Sequence, residues 1–433
     1  MAKPLRVGLA GVGTVGGALV RLLQRRRDDL TARTGRDIAI VAVSALSRSE
    51  CGPGLERAAF FNDATALAAT GDIDVFVEAI GGANGPAYAA ARAALSRGLP
   101  MVTSNKAMIA AHGLELAALA ESSGAALAFE AAVGGGIPVI KTLRESLAGN
   151  EVRRVSGILN GTCNYILSRM EIEGLPFEAC LAEAQKLGYA EANPTFDIGG
   201  FDTAHKIAIL ASLAFGTKVD ADAVSIEGIE SITLADLAAA DELGYRIKLL
   251  GVAERTAKGV EQRVHTTMVA KSEPLAQTMG VLNAVSIDGD AIGALTLVGP
   301  GAGGDATASA VAADICDIAR GDVGPAFGRP VATLGVAERV PMQRHEGGYY
   351  VRMSVVDRPG SVAVFAKRMG ERSISLEAIM QKRLDKGAPA SEFVPVVLIT
   401  KATTEASIRE ALELALADGV VRENPQVIRI ERP

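Results

Sequence analysis

Asp202 and Lys206 stand four residues apart at the head of the segment Phe201-Asp-Thr-Ala-His-Lys-Ile-Ala-Ile-Leu-Ala-Ser-Leu213. In a helix that spacing puts carboxylate and ammonium on one face, which Ile209, Leu210 and Leu213 continue as an apolar stripe. Burial lowers the pKa of such a lysine and a neighbouring carboxylate raises it, so the two effects oppose each other here. The preceding turn, Asn193-Pro-Thr-Phe-Asp197-Ile-Gly199-Gly200, is broken by Pro and two Gly, and Glu191 lies just ahead of it. Glu191, Asp197 and Asp202 could together hold a substrate's ammonium while Lys206 moves a proton. The plainer alternative is a helix-capping Asp with an i,i+4 surface ion pair.

The chemical reading gains weight from the N-terminus. Leu5–Leu9 reads as a short buried strand, Gly11-Val-Gly13-Thr14-Val15-Gly16 follows at once, and a helix begins at Gly17. This is G-x-G-x-x-G in the strand–turn–helix setting that a dinucleotide pyrophosphate needs. The first Gly makes the turn, the second admits the phosphates, the third lets helix pack on strand, and the helix N-terminus supplies amides. Gly11, Gly13, Thr14, Val15 and Gly16 are therefore candidate cofactor contacts. Arg25, Arg26 and Arg27 read as a solvated helix end. The second strand, Ile38–Val43, leads into Ser44–Ser49 with no Asp or Glu for a ribose 2′-hydroxyl. Arg48 suits a 2′-phosphate instead, which favours NADP over NAD; the alternative is a plain loop arginine. After strands at Ile73–Glu78 and Pro100–Thr103, Asn105-Lys106 opens a helix at a strand's carboxyl end, where ligands sit in open α/β sheets. Lys106 is thus a candidate for cofactor or substrate contact. Leu127–Val133 reads as a strand running into Gly134-Gly135-Gly136, where Glu130 and curled carbonyls suit a hard cation or, alternatively, a hinge between domains.

The second half reads differently. A helix is expected over Ile140–Leu147, then a strand from Val152 into the turn Asn160-Gly-Thr162-Cys163-Asn164 and another helix. Asn160, Thr162 and Asn164 either cap that helix or bind a polar substrate, and Cys163 is a packed thiol or a nucleophile. Phe177–Leu187 is a helix closed by Gly188. Val219–Val269 reads as helices mixed with short strands, and Ala291–Val298 as a strand before Gly299-Pro-Gly301-Ala-Gly303-Gly304 and a helix to Arg320. That second Gly-rich loop is expected as the far wall of the cofactor cleft. Residues 321–347 look like a linker, and beyond them strand, helix and turn patterns follow a β-α-β-β-α-β order with no catalytic cluster.

Composition sets the class. A chain of 433 residues, 49 % apolar and 22 % charged, is expected to fold into two or three domains rather than stay disordered. Net charge −6 excludes a nucleic-acid footprint. Cys51, Cys163, Cys180 and Cys316 lack metal or C-x-x-C spacing, which points to a reducing compartment. No signal peptide and no membrane-spanning apolar run are read, so the expectation is a cytoplasmic enzyme or sensor.

Gly11–Gly17, Thr103–Ala107, Phe129–Pro138, Gly157–Tyr165, Gly188–Lys206, Gly299–Ser309 and Tyr350–Val362 together resemble homoserine dehydrogenase in its long bacterial form. The resemblance implies an α/β chain with a Rossmann-type dinucleotide-binding domain over 1–136 and an α+β catalytic and dimerisation domain over 137–340. A C-terminal ferredoxin-like ACT regulatory domain over 348–433 completes it. It implies interconversion of L-aspartate 4-semialdehyde and L-homoserine with NADP or NAD, on the route to threonine, methionine and isoleucine. By resemblance Lys206 is the proton donor, Lys106 the second active-site lysine, and Glu191 and Asp202 the homoserine contacts. Gly188 and Gly303 would meet the cofactor. Glu130 with the carbonyls of Val133, Gly135 and Ile137 would hold sodium. Asn193 and Gly200 replace acidic residues common in the family and are expected to alter the turn without removing activity. L-Threonine is the implied effector and a homodimer or homotetramer the implied assembly. The competing readings are an acylating aldehyde dehydrogenase using Cys163, and a non-catalytic amino-acid sensor.

Overall fold

The computed structural model describes residues 3–381 and 392–431. Its first sheet contains β1 (Leu5–Ala10), β2 (Ile38–Ser44), β3 (Ala59–Phe61), β4 (Val75–Glu78), β5 (Met101–Thr103) and β6 (Leu127–Ala128). They are parallel, in the order β3-β2-β1-β4-β5-β6. β1 and β4 are near-continuous apolar runs, as strands covered on both faces must be. The strand order reverses between β1 and β4, so the turns that leave them flank the crevice of a doubly wound sheet. The helix Gly304–Arg320 returns to this sheet from far along the chain. Its Ala308, Val311 and Ile315 share one core with Val7, Leu19 and Leu23.

The second sheet begins with β7 (Val152–Ile158), β8 (Ser225–Ile226), β9 (Tyr245–Thr256), β10 (Gly259–Ala270), β11 (Leu282–Gly289) and β12 (Gly293–Pro300). It continues with β13 (Glu346–Val356), β14 (Leu376–Gln381), β15 (Phe393–Thr400), β16 (Thr403–Thr404) and β17 (Gln426–Glu431). Its main path is β12-β11-β7-β9-β10-β17-β13-β15-β14. β9 and β10 form a long antiparallel hairpin of 12-residue strands, which corrects the expectation of short strands over 219–269. Charged side chains misled the pattern: Glu261, Arg263 and His265 are buried in β10. The helix Phe201–Phe215 lies against this hairpin at close range. A Cβ at Gly251 would come within 2.9 Å of Thr203 and 3.2 Å of Ile207.

The C-terminal segment has the expected β-α-β-β-α-β order, with helices Ser361–Glu371 and Glu405–Ala417. It is no separate layer, because β17 pairs in parallel with β10 and continues the same sheet. The stretch read as a linker is tied down by Lys218 N–H donating to the Gly335 carbonyl (2.8 Å) and Val260 N–H to that of Glu338 (2.9 Å). Smaller corrections concern element ends. Glu130 sits in a 3-10 turn, Glu130–Ala132, beyond a strand that stops at Ala128. The helix read over 140–147 is one α-turn, Val139–Lys141, followed by a π-turn, Thr142–Ser146. The strand read over 291–298 runs from Gly293 to Pro300. Among the described residues no helix is long and apolar enough to cross a membrane.

Candidate active site

At the first glycine turn the three glycines do three different things. Gly11 has φ +92, and a Cβ there would stand 2.4 Å from the Ala79 carbonyl oxygen. A Cβ at Gly16 would stand 2.0 Å from the Gly11 carbonyl oxygen, so only glycine lets the helix Thr14–Arg25 reach the strand. Gly13 faces open space, with nothing within 4 Å of a built Cβ. Gly13, Thr14 and Gly17 line a cavity of about 490 Å³ whose opposite wall includes Gly304 and Asp305. Val15, half-buried, packs on the core beneath. The second Gly-rich loop is therefore the far wall, as expected, with Gly303 as the residue before its helix and Gly304 in closest approach to Thr14.

Arg48 is placed otherwise than expected. Its guanidinium donates to the carbonyls of Ala58 (2.8 Å), Leu55 (3.1 Å) and Glu56 (2.9 Å) and lies over the Phe60 ring. In this arrangement Arg48 holds its own loop, with its side chain still exposed. Gly188 closes the helix Phe177–Lys186 in an exposed turn and does not line the cavity.

Across the switch point, the buried Glu78 carboxylate accepts from Ile80 N–H (2.8 Å), Gly81 N–H (2.9 Å) and the Thr103 hydroxyl. Asn105 donates to the Gly82 carbonyl (2.7 Å) and caps the helix Lys106–Ser123 by accepting from Met108 N–H (3.1 Å). Strand end, glycine turn and helix start are thereby locked together. Lys106 occupies the first position of that helix, where the dipole disfavours a cation. A carboxylate offsets this: Lys106 Nζ is 2.6 Å from Asp202 Oδ1.

Asp202 is the hub. Its Oδ2 accepts from Lys206 Nζ (2.8 Å) and Asn160 Nδ2 (3.0 Å). Lys206 Nζ also donates to the Leu159 carbonyl (2.6 Å). An ammonium has three N–H donors, so one is left without a partner among the described residues. Burial alone would raise the Asp202 carboxyl, but the two ammoniums overcome it and hold the group well below the usual carboxylate range. For Lys206 burial wins: its pKa is lowered, with Asp202 opposing and Lys106 assisting. Asn160 also donates to Asp197 Oδ1 (2.9 Å) while its own oxygen caps the helix Gly161–Glu173 at Cys163 N–H (2.9 Å). Burial, then the Asp202 charge against the Asn160 bond, leaves the Asp197 carboxyl raised.

Glu191 and Cys163 take their places nearby. Glu191 is exposed, and its carboxylate makes no ion pair or hydrogen bond among the described residues; only its carbonyl is engaged, by Gln185 (3.1 Å). Cys163 is fully buried, donates to the Asp197 carbonyl (3.2 Å), and has a thiol pushed well up by burial. A buried thiol raised in this way is a packing residue, the first of the two readings offered by sequence. Asn160, Leu159 and Glu78 are the residues whose roles sequence did not give. Asn160 before Gly-Thr was legible as a cap, but its bridge between Asp197 and Asp202 exists only in the folded chain.

The Glu130 carboxylate accepts from Ile140 N–H (2.9 Å) and Lys141 N–H (2.8 Å), and the Ile137 carbonyl is taken by Val139 N–H (2.8 Å). The buried carbonyls of Val133 and Gly135 accept no hydrogen bond among the described residues. Burial, then the charge of Asp314, pushes the Glu130 carboxyl up to about 7. A desolvated carboxylate and unpaired carbonyls are ligand types that a small hard cation takes. Ile137 is the weak member of the expected set.

Known proteins resemble this chain over nearly its whole length. The family described as homoserine dehydrogenase matches residues 138–316, and the homoserine dehydrogenase NAD binding domain matches residues 11–130. The homoserine dehydrogenase of Neisseria gonorrhoeae is 42 % identical over 99 % of this chain and 99 % of its own length. That of Corynebacterium glutamicum is 40 % identical over 98 % and 95 %. The crystal structure of the Thiobacillus denitrificans enzyme superposes with TM-score 0.93 at 39 % identity, covering 99 % of this chain and 98 % of that one. A hyperthermophilic archaeal homoserine dehydrogenase in complex with NADPH superposes with TM-score 0.65 at 26 % identity, covering 75 % of this chain and all of that one. A dinucleotide turn, a two-lysine carboxylate cluster and whole-length relatives lead to one conclusion: the chain belongs to the homoserine dehydrogenase family.

Proposed function

We propose that this family member interconverts L-aspartate 4-semialdehyde and L-homoserine with Lys206 as the proton donor. The observation that carries the reading is the buried Lys206 ammonium, fixed by Asp202 and the Leu159 carbonyl with one N–H uncommitted. When bound, the nicotinamide supplies hydride to the aldehyde carbon, or takes it back in the reverse direction. Lys206 gives a proton to the carbonyl oxygen as its bond order falls, and in reverse the neutral amine takes the hydroxyl proton. Asp202 stays ionised, orients both ammoniums and stabilises the charged form of Lys206. Lys106, half-exposed at the mouth of the cluster, contacts the substrate or the nicotinamide end of the cofactor. In this reading Asp197, with Asp202 behind it, receives the substrate's α-ammonium, and Glu191 enters only if its loop closes.

Gly11, Gly13, Thr14, Gly16 and Gly303 form the pyrophosphate wall in this reading. The choice between NADP and NAD then rests on Ser47 and Ser49 rather than Arg48. Their hydroxyls lie 2.7 Å apart at the strand end. Glu130 with the carbonyls of Val133 and Gly135 would hold Na⁺, which neutralises a buried carboxylate and stiffens the loop joining the two sheets. The C-terminal segment is read as an ACT module answering to L-threonine, in a cytoplasmic homodimer or homotetramer. Four free thiols agree with that compartment.

The test is the purified protein with NADPH and L-aspartate 4-semialdehyde, following loss of NADPH and identifying the product. Stoichiometric L-homoserine is expected, slowed by L-threonine. NADPH unchanged, with threonine bound, would support a sensor instead.

A further inference from the structure

The turn that holds Asp197 and Asp202 rests on a strand held from the far side by the C-terminal segment. Gly228 lies flat against it: a Cβ there would stand 2.3 Å from the Ile198 carbonyl oxygen and 2.9 Å from Gly199 Cα. Ile229 N–H donates to that same carbonyl (3.0 Å). Gly200, which begins the Lys206 helix, packs on Ile226 and Val264 so closely that a Cβ would come within 3.2 and 2.9 Å of them. Between Ile226 and Gly228 stands Glu227, whose N–H donates to the Val264 carbonyl (2.8 Å). Its carboxylate meets Arg429 of β17 end-on, with Nη1–Oε2 at 2.6 Å and Nη2–Oε1 at 2.9 Å. Arg429 is buried and also forks onto Glu405 at 2.8 and 3.1 Å.

The geometry points to Glu227 and Arg429 as positioning residues for the reaction, a bidentate latch through which the C-terminal segment sets the Asp197–Asp202 turn. Arg429 and Glu405 belong to the C-terminal segment, Glu227 to the stretch that follows β8 under the turn, so any shift of β17 is delivered to Ile198 through a run of close contacts. A planar fork on a carboxylate transmits orientation as well as charge. Removing Glu227 leaves Arg429 its bond to Glu405, so the buried guanidinium is not stranded and the segment keeps its fold.

This inference rests on the reading of Asp202 and Lys206 as the reacting site, and the experiment separates the two. Glu227→Ala, Glu227→Gln, Glu230→Ala and Lys206→Met are compared for homoserine oxidation and for NADPH affinity by fluorescence titration. In Glu227→Ala, kcat/KM for L-homoserine is expected to fall about five- to tenfold, with the NADPH Kd within about twofold. Glu227→Gln, which keeps an acceptor for Arg429, recovers part of the loss and serves alone should Glu227→Ala not fold. Glu230→Ala, exposed on the same loop, changes neither quantity. Unchanged homoserine kinetics in Glu227→Ala, or equal loss of NADPH affinity, overturns the latch. An active Lys206→Met overturns the site assignment itself.

Discussion

A single carboxylate, Asp202, faces two ammoniums and one amide, and its charge state decides what the lysines can do. Burial lowers Lys206, and Asp202 is the group that raises it again. Reduction of the aldehyde needs the ammonium, so its rate is full at low pH and falls as pH rises through the Lys206 pKa; oxidation of the alcohol needs the amine and rises through the same limb. Asp202→Asn removes the raising charge, so the alkaline limb of the reduction profile is expected to move to lower pH, measurable as kcat against pH. A limb that stays put would show that Asp202 does not set the lysine. Lys206, Asp202 and Lys106 were legible in sequence because spacing and a strand-end position announce them. Asn160, the Leu159 carbonyl and Glu78 were not, since the partners that matter lie 37 residues away or more for Asn160, 47 for Leu159 and, at Thr103, 25 for Glu78. The loop contacts of Arg48 were not legible either, because residue type says nothing about which acceptor a guanidinium finds first.

The glycine turns show what an element must give up to hold a cofactor. Gly13→Ala adds a methyl into open space on the cofactor side, so its thermal midpoint should stay near that of the parent while its KM for NADPH rises about tenfold or more. Gly16→Ala drives a methyl into the Gly11 carbonyl and should instead destabilise the protein by about 1–3 kcal/mol, read by denaturant unfolding. Equal effects of the two on stability would contradict the division of roles. The helix that carries Lys206 was legible from its i,i+4 pair and apolar run, although nearly all of it is buried. The long β9–β10 hairpin was not, because its buried face takes Glu261, Arg263 and His265 into an ion-paired interior. There Arg263 bonds Glu261 and Glu431. Alternation fails as a signal when charges are inside.

Across the whole molecule, two sheets share their parts. The helix Gly304–Arg320 belongs by sequence to the second half and by packing to the first sheet, so the cofactor cleft is closed by residues almost three hundred positions after the first glycine turn. The C-terminal segment extends the second sheet through β17 against β10, with Arg263 and Arg154 both reaching Glu431. A segment hydrogen-bonded into a sheet core should not melt alone. Calorimetry is expected to show residues 346–431 unfolding together with the second sheet in one transition; an early transition removed by deleting that segment would contradict the shared sheet. Sequence revealed the order of these elements but not the joining, which depends on one short parallel pairing without a motif.

The central claim is that the Lys206 amine moves the proton beside the nicotinamide. The most direct measurement is steady-state NADPH oxidation with L-aspartate 4-semialdehyde by Lys206→Met, beside its NADPH Kd. A loss of about 10²–10⁴ in kcat with cofactor affinity retained is predicted. Turnover equal to the parent's would contradict it.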